Sequence, residues 1–387
     1  MLTLNQATVA LKDYYLGVIT NQLNTKINPL MARIAQSTEN VYGKDVVKVL
    51  GFGINGGIGA AEETGDLPKA AENRYAKVTV SLKNLYGRIE LSDKVIRASQ
   101  HSSGAFVNML NSEMEGLLEA AAMNLSRMLY GDGSGKLATV ASVETTGDKA
   151  VKVDSVKKLI EGMTVKVMNG ATDVATNLRV RSIDRANNKV VLDGTQTGIA
   201  ENHVICVSSG LNLELTGLEK VLGTSSTLYG ASRSSNPFLL ANIDSTTTAV
   251  SESAIQKAID GVEEGTGDEI NFIACSYGVR RSLQNHLATY RRNVDTMNLE
   301  GGFRAISYNG IPVVADRFCK DKTMYLLNTD FFTLYQLCDW EWLEGENGSV
   351  LKQIPGTATY SATLVKYAEL LCEKIRSQAV FSALTEA

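Results

Sequence analysis

The sequence predicts an α+β fold built from several packed units. Three observations lead there. Two long strand-like stretches lie between Val41 and Ala98, separated by a glycine-rich, charged tip. One uninterrupted amphipathic stretch runs from Ser103 to Tyr130. Short alternating strands from about Val140 to Ser209 precede a region where helical and strand-like stretches alternate. At 387 residues the chain exceeds the usual size of one domain, and 44% hydrophobic residues can fill more than one core.

Taken in order, Leu11, Tyr15, Val18, Ile19, Leu23 and Ile27 recur at helical spacing until Pro29 breaks the pattern, which reads as an amphipathic arm. The stretches "DVVKVLGFG" and "YAKVTVSLKNLYGRIELSD" then form a hairpin with a long tip, and irregular tips of that length usually have a task. Ser102 and Ser103 can cap a helix whose apolar face includes Phe106, Leu110, Met114, Leu117, Leu118, Ala121, Leu125, Met128 and Leu129. At 1.5 Å per residue this helix is about 40 Å long. Gly131, Gly133 and Gly135 end it in "YGDGSGK". The short strands that follow make a small all-β unit. The serine-rich "GTSSTLYGASRSSNP" connects it to a helix after Ser251, the strand "EINFIACS", a helix from Tyr277 to about Tyr290 and the strands "GIPVVAD" and "TMYLLN". The tail "ATYSATLVKYAELLCEKIRSQAVFSAL" reads as one long strand with or without a short turn.

Several fragments invite a chemical reading, and each lacks a necessary part. Gly51, Gly53 and Gly56 form G-x-G-x-x-G after a strand, the pattern of a dinucleotide site, but a following helix would be stopped by Gly65 and Pro68. The next strand ends in Lys83 and Asn84, where a carboxylate would be needed for the ribose hydroxyls. "GDGSGK" resembles a P-loop, yet Tyr130 stands where its first glycine belongs and Leu137 where a metal-binding hydroxyl belongs. "ACSYG" places Ser276 between a strand and a helix, like a nucleophile elbow. The downstream His286 sits within that same helix instead of on a later loop, so a structural turn fits better. His101 and His203 have no partner visible in the sequence and read as surface or cap residues. Trp340 and Trp342 share one side of a strand, an arrangement that favours packing over a binding platform. Glu62, Glu63, Asp66, Lys69, Glu72 and Arg74 make a mixed-charge set on the tip, either a solvated loop or a surface for ion pairs with a neighbour.

The composition narrows the classes further. Thirty-eight basic against 42 acidic side chains, a formal charge of -4, give no basic face for sequence-reading nucleic-acid recognition. Five scattered cysteines without C-x-x-C suggest free thiols in a reducing compartment, with no zinc site or disulfide framework. No apolar run reaches a membrane span and no signal segment is seen, so a soluble protein made in the cytosol is expected, with no cofactor and no metal.

The order of these parts, an arm, a long hairpin, a long helix, a mixed α/β unit and a return strand, resembles the major capsid proteins of tailed bacteriophages, with the Hong Kong 97 type fold. The resemblance rests on "KVTVSLKNLYGRIELSDKVI", the helix with its "GDGSGK" exit, "LTGLEKVLGTSSTLYGASRSSNP", "IACSYGVRRSLQ", "YNGIPVVADRF" and "LVKYAELLCEKIRS", in that order. It implies an N-terminal arm over 1–40, an extended-loop hairpin over 41–82, a peripheral domain from 83–139 and 346–387, and an axial domain over 211–345. Residues 140–210 would be an inserted β domain, a departure from the minimal family pattern.

The implied function is a non-enzymatic shell protein that assembles with itself, as hexamers and pentamers, into an icosahedral head around double-stranded DNA held without sequence-specific contacts. It would be synthesised in the host bacterial cytoplasm and reside in the virion capsid. A separate scaffolding protein and a portal are implied as partners, and no membrane. The tip residues Glu62, Glu63, Asp66, Lys69 and Arg74 would meet a neighbouring subunit. Gly51, Gly53, Gly56 and Gly57 would let the loop take different angles in hexamers and pentamers. An encapsulin-like compartment is the alternative within this fold, and a cytosolic serine hydrolase using Ser276 is the alternative outside it.

Overall fold

The computed structural model describes residues 28–94, 103–144, 150–208, 210–290, 296–298, 304–344 and 348–387. The helical arm expected before Pro29, and His101, lie outside the described residues. So do the side chains of Phe106 and Leu110.

The hairpin pairs Asp45–Phe52 with Arg74–Ser81 in an unbroken antiparallel register, from Asp45 opposite Ser81 to Phe52 opposite Arg74. Val41–Tyr42 adds a short third strand. Alternation sorts the two long strands by face: Val46, Leu50, Val78 and Val80 are buried while Val49 and Tyr75 face outward. Residues 53–73 form no helix or strand.

The longest strand, Thr359–Cys372, lies between two partners. Along one edge it pairs with Lys83–Ser92, from Ser92 opposite Thr359 to Lys83 opposite Ala368. Along the other it pairs with Phe332–Trp342. Ala35–Ser37 extends the sheet in parallel with Thr333–Tyr335. Helix α1, Ser103–Leu129, buries Met114, Leu118, Ala122, Leu125, Met128 and Leu129. It approaches Lys83–Ser92 closely, because a Cβ on Gly87 would stand 3.0 Å from Leu117 Cδ1.

A second sheet runs in the order Asn242–Asp244, Ala379–Phe381, Met324–Leu327, Phe272–Cys275, Ile311–Ala315, Arg304–Tyr308, Thr296–Asn298. Four-residue α2, Leu218–Val221, precedes it in sequence. Helix α3, Glu252–Thr266, starts where Ser251 Oγ accepts from Ala254 N at 3.1 Å and ends at left-handed Gly267. Helix α4, Tyr277–Tyr290, follows Phe272–Cys275. The apolar residues of α3 and α4, including Ile255, Ile259, Val279 and Leu283, share a core with one side of this sheet.

Six strands within residues 136–207 close into a barrel with its own core of Leu137, Val140, Val151, Val165, Val167, Leu178, Val190 and Ile205. The barrel begins at Lys136, earlier than residue 140, since Gly135 already turns the chain out of the helix exit.

Two strands depart from the sequence-derived division. Phe332–Trp342, grouped there with 211–345, belongs to the sheet of Thr359–Cys372. Ala379–Phe381, grouped with 346–387, lies inside the seven-stranded sheet between Asn242–Asp244 and Met324–Leu327. The 3-10 turn Ile375–Ser377 carries the chain from Thr359–Cys372 of the first sheet to Ala379–Phe381 of the second, and Gln378 fixes it by accepting from Asn328 N at 2.8 Å.

Candidate assembly surface at the hairpin

The hairpin root is clamped to the body. Lys48 Nζ lies 3.0 Å from Glu373 Oε1, Tyr335 donates its hydroxyl to the same oxygen at 2.7 Å, and Lys48 stands over the Tyr335 ring. The Tyr335 hydroxyl, then Glu373, hold the Lys48 ammonium above its ordinary range against the opposing effect of burial. At the last rung, Phe52 stacks on Phe238 with ring centroids 4.7 Å apart and planes 15° apart.

The four glycines expected as a hinge sit in different settings. Gly51 lies within the ladder opposite Tyr75. Gly53, immediately past the ladder, has φ +79°, a left-handed conformation that suits glycine. At Gly57 a Cβ would come within 3.2 Å of Ala71 N, and at Gly56 within 3.5 Å of Ala71 Cβ, so the outgoing and returning arms of the tip are close there.

Beyond Phe52 the chain packs on little. Glu62, Glu63, Asp66 and Lys69 are exposed, as is Arg74 at the start of the return strand, and none forms an ion pair with another described residue. Glu62 O accepts from Gly65 N at 2.9 Å, closing an acidic turn. Ile54, Ile58 and Leu67 are 81%, 75% and 84% exposed. Large apolar side chains left outside in one region make the tip a candidate interaction surface.

The fragments that resemble catalytic motifs are built into the fold. Ser276 is fully buried, its hydroxyl bonded to the Glu386 carboxylate and accepting from Val279 N at the start of α4. His286 lies on the same helix. Burial pushes the neighbouring Cys275 thiol up to about 12. In the helix exit, Asp132 Oδ1 accepts from Ser134 N at 3.0 Å and Ser134 Oγ at 2.6 Å, so the loop folds on itself. His203 Nδ1 accepts from Ala200 N at 3.1 Å. Trp340 and Trp342 are buried in the main core. Among the described residues no group of three His, Cys, Asp or Glu could hold a metal, and no helix is long and apolar enough to cross a membrane.

Other structural residues have little or no signature in the sequence. Arg127 of α1 is buried and paired through both terminal nitrogens with Glu214, a residue on the far side of the barrel in sequence. Arg233, within the serine-rich connection, is also buried and donates to the carbonyls of Lys220, Val221 and Leu239 at 2.8 Å each. It thereby satisfies the C-terminal end of α2. A lone arginine among serines is the only sequence signal for that anchor.

No model of a known protein family matches the sequence, and no curated protein does. Among solved structures, the chain is similar to a chain of the cyanophage A-1(L) capsid asymmetric unit, at 14% identity and TM-score 0.55, over 95% of this chain and 93% of that one. The holo-SrpI encapsulin complex of Synechococcus elongatus matches at 10% identity and TM-score 0.49, over 93% of this chain and 89% of that one. The capsid of Myoviridae phage XM1 matches at 11% identity and TM-score 0.46, over 92% and 91%. The first of these, with the hairpin, long helix and paired sheets described above, shows that the chain has the Hong Kong 97 type fold found in tailed-phage major capsid proteins.

Proposed function

We propose that this chain is the main structural subunit of an icosahedral phage head, assembling as hexamers and pentamers around double-stranded DNA, with no enzymatic activity. In this reading the Asp45–Ser81 hairpin is the extended loop. Helix α1 with the sheet around Thr359–Cys372 is the peripheral domain, the seven-stranded sheet with α3 and α4 is the axial domain, and the barrel is an inserted domain. A scaffolding protein and a portal are the partners expected of such a subunit, and the virion its location.

One observation supports this reading most: the hairpin is firmly held at Phe52 and Lys48 but leaves Ile54, Ile58 and Leu67 outside its own chain. An exposed apolar surface on a rigid base is suited to covering a second copy. The overall charge of -4 also agrees with a container whose wall does not grip its DNA tightly.

Electron microscopy of the purified protein, alone and co-expressed with its scaffold, tests the proposal. Closed shells are expected, and particles from the producing cell should contain DNA. Only monomers at every concentration and salt would overturn the shell reading. Shells filled with a cargo protein and no DNA would instead identify an encapsulin-like compartment.

A further inference from the structure

The sequence contains four Asn–Gly pairs, in which a side-chain carboxamide meets a following backbone nitrogen that no Cβ shields: Asn55–Gly56, Asn169–Gly170, Asn309–Gly310 and Asn347–Gly348. Asn347 lies outside the described residues. Two of the others sit in tight turns between paired strands. Asn169 ends a strand and pairs with Thr172, while Gly170 takes φ +60°. Asn309 and Gly310, with φ +48° and +83°, lie between Tyr308 and its partner Ile311, and Asn309 Nδ2 donates to Gln256 Oε1 at 3.2 Å. A ladder fixes the backbone at both sites.

Asn55 has a different setting. It lies past the last rung of the hairpin, Phe52 opposite Arg74, where residues 53–73 form no helix or strand, and both Asn55 and Gly56 are exposed. Its Oδ1 accepts from Gly57 N at 2.9 Å, an Asx turn whose hydrogen-bonded ring contains both Asn55 Cγ and Gly56 N. Gly56 N donates to no described group. A Cβ at Gly57 would stand 3.1 Å from Asn55 Oδ1, so the turn closes this tightly on glycine.

We propose that Asn55 is a site of spontaneous deamidation, the one among the three described pairs that the fold prepares for it. Gly56 N gives its proton to solvent base and attacks Asn55 Cγ, which the turn holds within the same ring. The new C–N bond closes a five-membered succinimide, the Cγ–Nδ2 bond breaks, and the carboxamide nitrogen takes a proton back from solvent and leaves as ammonia. Charge that builds on Oδ1 during the attack is met by the Gly57 N–H already bonded to it. Water, the only co-reactant, then opens the ring on one side or the other, which leaves either an aspartate at position 55 or an isoaspartyl link that runs through the side chain. The tip thereby gains a carboxylate between exposed Ile54 and Ile58, and in the isoaspartyl product a longer backbone. The proposal stands on the single chain and holds whether or not the chain forms shells.

Peptide mapping by mass spectrometry tests it on the purified folded chain kept in mildly alkaline, ammonium-free buffer. Peptides carrying Asn55 should convert from carboxamide to carboxylate at least about tenfold faster than those carrying Asn169 or Asn309. In urea the three rates should converge, because only the shared dipeptide then remains. Gly56→Ala should slow conversion at Asn55 at least about tenfold by shielding the attacking nitrogen. Its Cβ would meet Ala71 Cβ at 3.5 Å, an ordinary contact, so the tip keeps its shape. Asn55→Gln would need a six-membered ring and should not convert on the same timescale. An isoaspartyl-specific methyltransferase should label the tip of aged wild-type chain and leave that of Asn55→Gln unlabelled. Equal rates at the three sites in the folded chain, or an unchanged rate at Asn55 in Gly56→Ala, would overturn the proposal. So would an Asn55 that persists in the folded chain while the urea-unfolded chain converts.

Discussion

The barrel and the hairpin each form a sheet separate from the two larger ones, but they treat their apolar residues in opposite ways. The barrel closes its hydrogen-bond ladder, so it has no free edge, and it buries Leu137, Val165, Leu178 and Val190 within itself. Past Phe52 the hairpin has no ladder, and Ile54, Ile58 and Leu67 remain outside. Full burial of one such side chain is worth about 1.5–3 kcal/mol. The barrel therefore gains this stabilisation within one chain, whereas the tip can gain it only against another molecule. An excursion with its own core can fold as a domain, whereas one without a core adds little to the stability of its own chain.

That contrast depends on the neck that joins the barrel to the body, where the largest effect is expected. Arg127→Met would leave Glu214 buried without its partner, and breaking a buried pair from one side costs about 3–5 kcal/mol. Urea unfolding should show a loss of that order. A loss below about 1 kcal/mol would mean that Glu214 reaches water and that the neck is looser than its geometry.

The second effect concerns pH at the same neck. Burial pushes the Glu369 carboxyl up to about 7, against the hydrogen bonds it accepts from Thr216 and Leu370. The folded state thus holds a proton that the unfolded chain releases from about pH 4.5 upward. Stability falls as pH rises through this window and levels off above about 7, a loss on the order of 3 kcal/mol. Asp316, pushed up to about 6 by burial, contributes a slope of the same sign at lower pH. Glu369→Gln stays neutral and can still accept from Thr216 N, so its stability should fall less between pH 5 and 8 than that of wild type. Parallel profiles from urea midpoints would show that Glu369 is ionised in the folded protein throughout.

Local patterns in the sequence located most elements and few of their partners. Helical spacing and the glycine exit placed α1 from Ser103 to Tyr130, against an observed end at Leu129. Period-two alternation located the hairpin and the β unit. The same alternation could not say which strand Phe332–Trp342 would join, because periodicity sets which face is buried but not which neighbour completes the ladder. Ala379–Phe381 was misplaced for the same reason. At the candidate surface, the exposed charges of the tip were legible as charges on a loop. The clamp was not, since Lys48, Tyr335 and Glu373, like Phe52 and Phe238, meet only in the folded chain.

If the barrel is self-contained, it should be removable with a smaller effect than either neck change. Its ends are adjacent: Asn212 N donates to Ser134 O at 2.9 Å, and a Cβ on Gly135 would stand 2.4 Å from Gly210 O. Replacing residues 137–208 with a short glycine linker also removes the Lys157 pair with Asp321 and the Lys158 pair with Glu219. Partly exposed pairs of this kind contribute about 0–1 kcal/mol each. The remaining body should unfold cooperatively within about 2 kcal/mol of wild type, and the barrel expressed alone should show its own cooperative transition. An unfolded body would mean that the barrel is part of the main core.

The smallest effect on the isolated chain is expected at the tip, where the effect on assembly should be large. Replacing Ile58 to Ala71 with a four-residue glycine-serine turn removes Ile58, Leu67 and the acidic turn but none of the Asp45–Phe52 ladder. The root clamp at Lys48 and Glu373 and the Phe52–Phe238 stack also remain. Because the deleted residues have few contacts within the chain, monomer stability should stay within about 0.5 kcal/mol of wild type, the range of ordinary surface changes. Particle yield by sedimentation should collapse, and the residual assembly should lose its salt dependence along with Glu62, Glu63, Asp66 and Lys69. Normal shells would show that the tip's apolar residues are not covered by a neighbour. A large fall in monomer stability would show that the tip packs within its own chain, and the distinction between hairpin and barrel would then be one of degree.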